Sequence, residues 1–110
     1  MSDYDWVDLE SEWEFYEWDE AKSQSNLRKH GLSFETAAAI FKGPVIVRED
    51  DRWDYGEQRF IALGMVQGRC LTVVFTPRSG DVCRIISAWK AGAHDRARYT
   101  EILERTHPPP

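Results

Sequence analysis

The sequence predicts an α+β fold in which a short strand and two helices precede a four-stranded antiparallel meander and a last helix. Three observations lead to this prediction. A β-hairpin pattern lies within residues 69–91, capping signals bound two helices upstream of it, and a helical pattern follows it. We expect the helices to cover one face of the sheet and the other face to be left for a partner.

The hairpin consists of two runs rich in Val, Ile, Thr and Phe, residues 70–76 and 82–88, on either side of a turn signal at residues 78–81. With Ser79-Gly80 as a two-residue loop, Phe75 faces Arg84, and Arg84 shares a face with the apolar residues Leu71 and Val73. A three- or five-residue loop would shift this register by one residue and exchange the faces of one strand.

Two helices are predicted upstream of the hairpin. Asp19 is an N-cap for a helix that runs to about His30 and ends at Gly31. Ser33 is an N-cap for a second helix, which Gly43-Pro44 ends. The remaining elements are a strand at residues 15–18, strands at 45–49 and 58–66 joined by a polar loop, and a helix at about 94–105.

The charge of the 110-residue chain is unevenly distributed. Residues 1–20 contain nine acidic residues and no Lys or Arg, a formal charge of −9, so the other 90 residues carry +4 against −5 for the whole chain. We therefore divide the chain into an acidic arm at residues 1–14, one domain at 15–105 and a tail at 106–110. The positive charge of those 90 residues is compatible with an anionic partner such as nucleic acid.

The acidic arm has two interpretations. It is either a solvated, partly disordered segment or a short amphipathic helix, because Trp6, Leu9 and Trp13 follow a helical spacing. In the second case the arm could lie over a basic surface and inhibit the protein in cis.

Several classes of protein do not fit the sequence. No apolar run approaches the ~20 residues of a membrane helix, and the N-terminus is acidic where a signal peptide is basic, so a cytoplasmic protein is expected. His30, His94 and His107 lack neighbours at metal-ligand spacing, so no metal or other cofactor is expected. Cys70 and Cys83 are expected to be buried free thiols.

The candidates for function are basic residues. Arg84 interrupts a β run that is otherwise apolar, and a half-buried Arg requires a carboxylate or a phosphate as partner. The others are Lys22, Arg28, Lys29, His30, Arg59 and Lys90.

The chain resembles the BrnT-type toxins of bacterial type II toxin–antitoxin modules over about residues 15–103. The resemblance rests on Trp-Asp-x-x-Lys and Asn-x-x-Lys-His-Gly-x-x-Phe within residues 18–37, on Arg59, and on Arg-Ile-Ile-Ser-Ala at residues 84–88. It implies a RelE-like fold, a ribonuclease that blocks translation, and a BrnA-like ribbon-helix-helix antitoxin through which the complex binds operator DNA.

The resemblance also implies site residues. Metal-independent RNA cleavage must stabilise the extra charge on the phosphorus, a role that suits Arg59 and Arg84, and must move protons, a role open to His30 and Glu57. Lys22, Lys29 and Lys90 could hold flanking phosphates. His30 could instead cap the end of its helix, and Glu57 could simply pair with Arg59.

Two departures from the family suggest a second hypothesis. Trp89 stands where the family usually has a basic residue, and an indole can stack on an RNA base but cannot neutralise phosphate. The acidic arm is an addition to the family pattern. The alternative function is therefore a catalytically weakened binding module that acts with an antitoxin in transcriptional autorepression.

Overall fold

The computed structural model describes residues 6–9 and 13–106 of the chain. In chain order, the elements are β1 (Val7–Leu9), β2 (Phe15–Glu17), α1 (Glu20–His30), α2 (Phe34–Ala38) continued by a 3-10 helix (Ala39–Lys42), β3 (Val45–Glu49), β4 (Phe60–Val66), β5 (Arg69–Arg78), β6 (Val82–Lys90) and α3 (Ala93–Thr106). The predicted helix caps are confirmed: the Asp19 side chain accepts a hydrogen bond from the Lys22 amide, and Gly31 is left-handed at φ 71°.

The sheet has six strands in the order β1-β3-β4-β5-β6-β2, whereas a short N-terminal strand and a four-stranded meander were predicted. Strands β3 to β6 are consecutive antiparallel neighbours. The two N-terminal strands lie at opposite edges: β1 is antiparallel to β3, and β2 is parallel to β6. The prediction of a purely antiparallel sheet was wrong because β2 reaches β6 as a distant segment of the chain, not through a hairpin.

The predicted register of the central hairpin was also wrong. Arg78 pairs with Val82, so the turn contains three residues, and Gly80 and Asp81 in it have positive φ angles of 81° and 60°. Because of this turn, Arg84 lies opposite Thr76 instead of Phe75. A shift of one residue reverses the faces, so Arg84 lies on the sheet face opposite to that of Leu71 and Val73. A further register shift, between Val74 and Phe75, changes the pairing only beyond Arg84, toward the other end of the two strands.

Helices cover both faces of the sheet, contrary to the expectation that they share one. One core joins α1–α2 and the 3-10 helix to the first face, with Phe34, Phe41 and Phe75 among its buried residues. A smaller core on the second face includes Tyr99 and Ile102 of α3. The Tyr99 hydroxyl donates to the carbonyl of Pro44 at 2.6 Å, and burial raises the pKa of Tyr99 to about 12.

Gly64 permits the close packing of the 3-10 helix on β4. A Cβ at this position would lie 2.7 Å from Cβ of Ile40 and 2.9 Å from Cγ1 of Val45, both of which belong to the packed core. No side chain therefore fits at Gly64 without moving the 3-10 helix.

Asn26 clamps α1 to the sheet. Its buried side chain donates to the carbonyls of Leu32 at 2.8 Å and Ala88 at 2.9 Å, and accepts from the Ala88 amide at 3.2 Å. The amide group therefore satisfies three backbone groups, on the turn between the helices and on β6. These hydrogen bonds hold α1 against β6, so that the side of the helix with Lys22 and Lys29 lies next to that strand.

The loop between β3 and β4 is built around a buried carboxylate. Asp50, whose side chain is fully buried, accepts from Nε and Nη2 of Arg52 at 2.7 and 2.8 Å and from the Tyr55 hydroxyl at 3.1 Å. Its own backbone amide donates to the carbonyl of Arg59 at 2.8 Å, next to the start of β4. The hydrogen bond to the Arg52 guanidinium is the main reason why the pKa of Asp50 lies below the usual carboxyl value.

The described parts of the acidic arm are neither helical nor free of the body. Val7–Leu9 forms a strand, and the ring of Trp6 lies 4.8 Å from the guanidinium of Arg48. Trp13 packs edge-on against Phe75, at 5.7 Å between ring centroids. The amphipathic helix was therefore a wrong prediction for residues 7–9, where the chain instead adds a strand to the sheet. Residues 1–5 and 10–12 of the arm lie outside the described residues.

Cys70 and Cys83 are both buried free thiols, as predicted, and belong to cores on opposite faces of the sheet. Burial raises the pKa of Cys70 to about 11 and that of Cys83 further. No helix within residues 6–9 and 13–106 is long and apolar enough to span a membrane.

Asn26→Ala should lower the free energy of unfolding by about 3 kcal/mol, because it leaves buried backbone groups of Leu32 and Ala88 without partners. Urea denaturation measures this loss. Arg28→Ala, an exposed change on the same helix, is the control. A loss for Asn26→Ala no greater than that of the control would contradict the clamp.

Asp50→Asn should destabilise the protein in a pH-dependent way. Because its pKa is lowered in the folded state, Asp50 contributes stability above the ordinary carboxyl pKa of about 4, and this contribution is lost as the pH falls through the folded-state value. Urea denaturation should therefore separate wild type and Asp50→Asn clearly at pH 7 and much less at pH 3. A difference that stays constant with pH would show that the carboxylate charge is not responsible.

Candidate active site

A polar cleft of about 170 Å³ lies where α1, the β3–β4 loop and β6 meet. It brings together four of the predicted site residues, Lys22, Glu57, Arg59 and Arg84, from three separate parts of the sequence. The remaining lining residues are Asp19, Arg78, Ile85 and Ile86. Three guanidinium groups and one ammonium group thus line one small space.

The pairing of β2 with β6 supplies a carboxylate for Arg84. In the parallel register Glu17 lies beside Arg84, and Nη1 of Arg84 donates to Oε2 of Glu17 at 2.6 Å. The Arg84 side chain is 31% exposed and that of Glu17 is 45% exposed, so solvent reaches the pair. The half-buried Arg84 therefore has the carboxylate partner that its place in the sequence required, on a surface open to a ligand.

Glu57 lies between two arginines. Nε of Arg59 donates to Oε2 of Glu57 at 3.1 Å, and Nη2 of Arg78 lies 3.4 Å from Oε1. The pairing of Glu57 with Arg59, which the sequence left as an alternative to catalysis, is therefore present. It does not remove Glu57 from the cleft, because the carboxylate lines it and is 28% exposed.

Tyr55 covers the guanidinium of Arg59. The Arg59 Cζ atom lies 4.2 Å from the centroid of the Tyr55 ring. The side chain of Arg59 is 25% exposed, so one part of the group remains accessible from the cleft.

His30 lies in a second, neighbouring cleft of about 230 Å³. Lys22, Lys29 and Ser25 line the same cleft, and Lys22 and Ile86 also line the first one. The structure therefore separates His30 from Arg59, Arg84 and Glu57, and joins it with Lys29. Lys22 lies at the junction of the two clefts.

Trp89 and Lys90 line neither cleft. They lie at the far end of β6, where Trp89 is partly buried opposite Thr72 and Lys90 is exposed opposite Leu71. The distance from Arg84 to Lys90 along the strand is about 20 Å. The substitution at Trp89 therefore does not alter the charge of the cleft that contains the arginines.

A wider groove, of about 590 Å³, lies beside α3 and is lined by residues such as Met65, Arg96 and Glu101. None of the predicted site residues lines it. Its charged residues are one cation and two anions, whereas four cations and two anions line the cleft at Arg84.

Sequence reasoning missed Glu17, Arg78 and Tyr55. Glu17 reaches the site only through the parallel β2–β6 register, and Arg78 was read as part of a turn. Tyr55 was placed in a polar loop with no role. A weak signal existed in that loop, because residues 50–57 combine two aromatic residues with five charged ones ahead of Arg59.

The arrangement is suited to binding a phosphate group. Guanidinium groups can each donate two hydrogen bonds to phosphate oxygens, and Arg59, at the end of the β3–β4 loop, and Arg84, on β6, line the same cleft. A carboxylate, Glu57, lies beside them as a proton acceptor. Within residues 6–9 and 13–106, no group of three or more His, Cys, Asp or Glu side chains is placed to hold a metal ion.

The comparison with known proteins agrees with this chemistry. A family model described as the ribonuclease toxin BrnT of type II toxin–antitoxin systems matches residues 18–95, which is more than half of the chain. The crystal structure of the ribonuclease toxin BrnT from Brucella abortus matches with a TM-score of 0.54 and 27% sequence identity, over 71% of this chain and 97% of that chain. Comparison with curated proteins gives no match.

The matched region contains the residues of both clefts. Residues 18–95 include every residue that lines the two clefts, whereas Glu17, the partner of Arg84, lies just outside the match. Both matches favour an active ribonuclease over the catalytically weakened binding module that the sequence left open. The chain belongs to the BrnT family of ribonuclease toxins of type II toxin–antitoxin systems.

Proposed function

We propose that this protein cleaves single-stranded messenger RNA in the cleft between α1 and β6, without a metal ion, and so blocks translation in the cytoplasm. The observation that carries the proposal is the convergence of Arg59, Arg84 and Glu57 on one cleft of phosphate-binding character. The scissile phosphate lies between the two arginines. Glu57 accepts the proton of the 2′-hydroxyl, whose oxygen then attacks the phosphorus.

The arginines act on the charge that develops during the attack. The pentacoordinate phosphorus carries more negative charge than the starting diester, and Arg59 and Arg84 donate hydrogen bonds to its oxygens. The ammonium group of Lys22, which lines the same cleft, stabilises the leaving 5′-oxygen until it takes a proton from water, and Glu57 then returns its proton to water. The products are a 2′,3′-cyclic phosphate and a 5′-hydroxyl.

The second cleft extends the binding surface along the RNA. Because Lys22 and Ile86 line both clefts, a single strand that enters the first can continue into the second. There Lys29 and His30 hold the next phosphate. His30 is thus a binding residue in this proposal, and Glu57 is the catalytic base.

Type II toxins act with an antitoxin, and we propose a BrnA-like ribbon-helix-helix protein as the partner here, with operator DNA bound only through the antitoxin. An antitoxin of this kind should protect RNA from cleavage when it is mixed with the toxin.

Arg84→Ala and Arg59→Ala should each lower cleavage of a labelled single-stranded RNA in EDTA by about 100-fold or more, because each removes a donor to the transition state. Arg84→Lys should recover only part of the activity, because an ammonium group lacks the two parallel donors of a guanidinium. Circular dichroism and thermal melting should show that each variant folds.

Arg105→Ala, an exposed change at the end of α3, removes the same charge outside both clefts and is the matched control. Wild-type activity in the folded Arg84→Ala variant would remove Arg84 from the mechanism. Complete dependence of the wild-type protein on an added divalent metal would contradict the proposed chemistry.

A further inference from the structure

We propose that the β3–β4 loop is a preformed support for Arg59, in which Asp50 and Tyr55 are positioning residues. The inference rests on the proposed function for the task of Arg59, but it assigns roles to two residues that the sequence did not single out. Asp50 holds Tyr55, and Tyr55 holds the guanidinium of Arg59 in the orientation that faces the cleft.

The base of the support is the buried carboxylate of Asp50. It accepts two hydrogen bonds from the Arg52 guanidinium and one from the Tyr55 hydroxyl, while the Asp50 amide donates to the Arg59 carbonyl. The Asp50 backbone amide therefore joins the two ends of the loop, while the Asp50 carboxylate holds Arg52 and Tyr55 within it. Because its side chain is fully buried, it cannot contact RNA itself.

The Tyr55 ring connects the buried Asp50 to the Arg59 guanidinium. Its hydroxyl is tied to Asp50 at 3.1 Å, and its face lies 4.2 Å from the Arg59 guanidinium carbon. The hydroxyl bond restrains rotation of the ring. A restrained ring in turn restrains the guanidinium plane, which a long, flexible arginine side chain would not hold by itself.

The contacts of Arg59 determine which nitrogen atoms of its guanidinium can bind the phosphate. One face of the guanidinium lies on Tyr55, and its Nε donates to Glu57 at 3.1 Å. The two Nη atoms are therefore the groups that can reach a phosphate in the cleft. A catalytic donor that is already oriented avoids reorganisation when charge develops, which is why its support affects the reaction rate.

Tyr55 has an advantage over a carboxylate in this role. Glu57 and Glu17 carry negative charge into the cleft and repel a phosphate, whereas the ring attracts the guanidinium through its π electrons without a formal charge. The ring thus stabilises Arg59 in the empty cleft and remains in place when the phosphate binds.

The test uses Tyr55→Leu, Tyr55→Phe and Asp50→Asn in the full chain, each alone and in an Arg59→Ala background. The control is Asp51→Asn, which removes the same charge from an exposed position in the same loop. Two properties are measured well below the melting temperature of every variant. One is the NMR resonance of the Arg59 Nε–H group, and the other is affinity for a single-stranded RNA that a 2′-O-methyl group makes uncleavable.

We expect Tyr55→Leu to remove the ring-current shift of the Arg59 Nε–H resonance and to weaken RNA binding about fivefold. The same change in the Arg59→Ala background should cost no further affinity, because Tyr55 acts through Arg59. Tyr55→Phe keeps the ring but releases it from Asp50, so its Arg59 resonance and its RNA affinity should lie between those of wild type and Tyr55→Leu. In both properties Asp50→Asn should resemble Tyr55→Phe, and Asp51→Asn should resemble wild type.

An unchanged Arg59 resonance in Tyr55→Leu, or an equal loss of affinity with and without Arg59, would overturn the inference. If Asp50→Asn fails to fold, Tyr55→Phe still tests the hydroxyl bond. Cleavage assays on the same proteins separate this result from the proposed function. A wild-type protein that never cleaves RNA would refute the proposed function, while the Arg59 resonance would still decide whether Tyr55 and Asp50 position that side chain.

Discussion

The cleft that we propose as the active site depends on the balance between clustered cations and the carboxylates placed among them. Arg59, Arg78, Arg84 and Lys22 line about 170 Å³, and like charges at such separations repel one another unless something offsets them. In the free protein Glu57 contacts two of the arginines and Glu17 contacts the third. We propose that a phosphate takes over the role of these carboxylates when RNA binds.

The two carboxylates differ in a way that matters for the reaction. Glu57 is part of the loop that supports Arg59 and remains beside the phosphate as the proposed base. Glu17 lies on an edge strand of three residues, and its side chain is the more exposed of the two. A phosphate can therefore displace Glu17 from Arg84 at less cost than it can displace Glu57, because a solvated surface pair contributes little net stability.

The sequence predicted local features well and long-range pairings poorly. The caps at Asp19, Gly31 and Ser33 set helix boundaries that the structure confirms, since capping depends only on neighbouring backbone groups. The face on which Arg84 lies was missed, because it depends on whether the turn contains two or three residues, which the local sequence left open. The strand at β1 was missed for the same reason: three residues acquire strand geometry from their pairing with β3.

The same distinction applies to the site. Arg59, Arg84 and Glu57 could be chosen as candidates because their residue types suit phosphate chemistry and because the family resemblance marks the two arginines. Glu17 comes beside Arg84 only through sheet register, and Tyr55 contacts Arg59 while its hydroxyl binds the buried Asp50. His30 was grouped with these candidates for its chemistry alone, and the structure places it in the next cleft. Asn26 belongs to the family motif, and its role in the structure is the clamp that holds α1 against β6.

The most direct test of this account is a crystal structure of the protein bound to a short single-stranded RNA with a 2′-O-methyl group at the scissile nucleotide. The account predicts a phosphate between the guanidinium groups of Arg59 and Arg84, with the Arg84–Glu17 hydrogen bond broken and Tyr55 still covering Arg59. A phosphate bound elsewhere on the surface, with the Arg84–Glu17 pair intact, would contradict the assignment of this cleft as the active site.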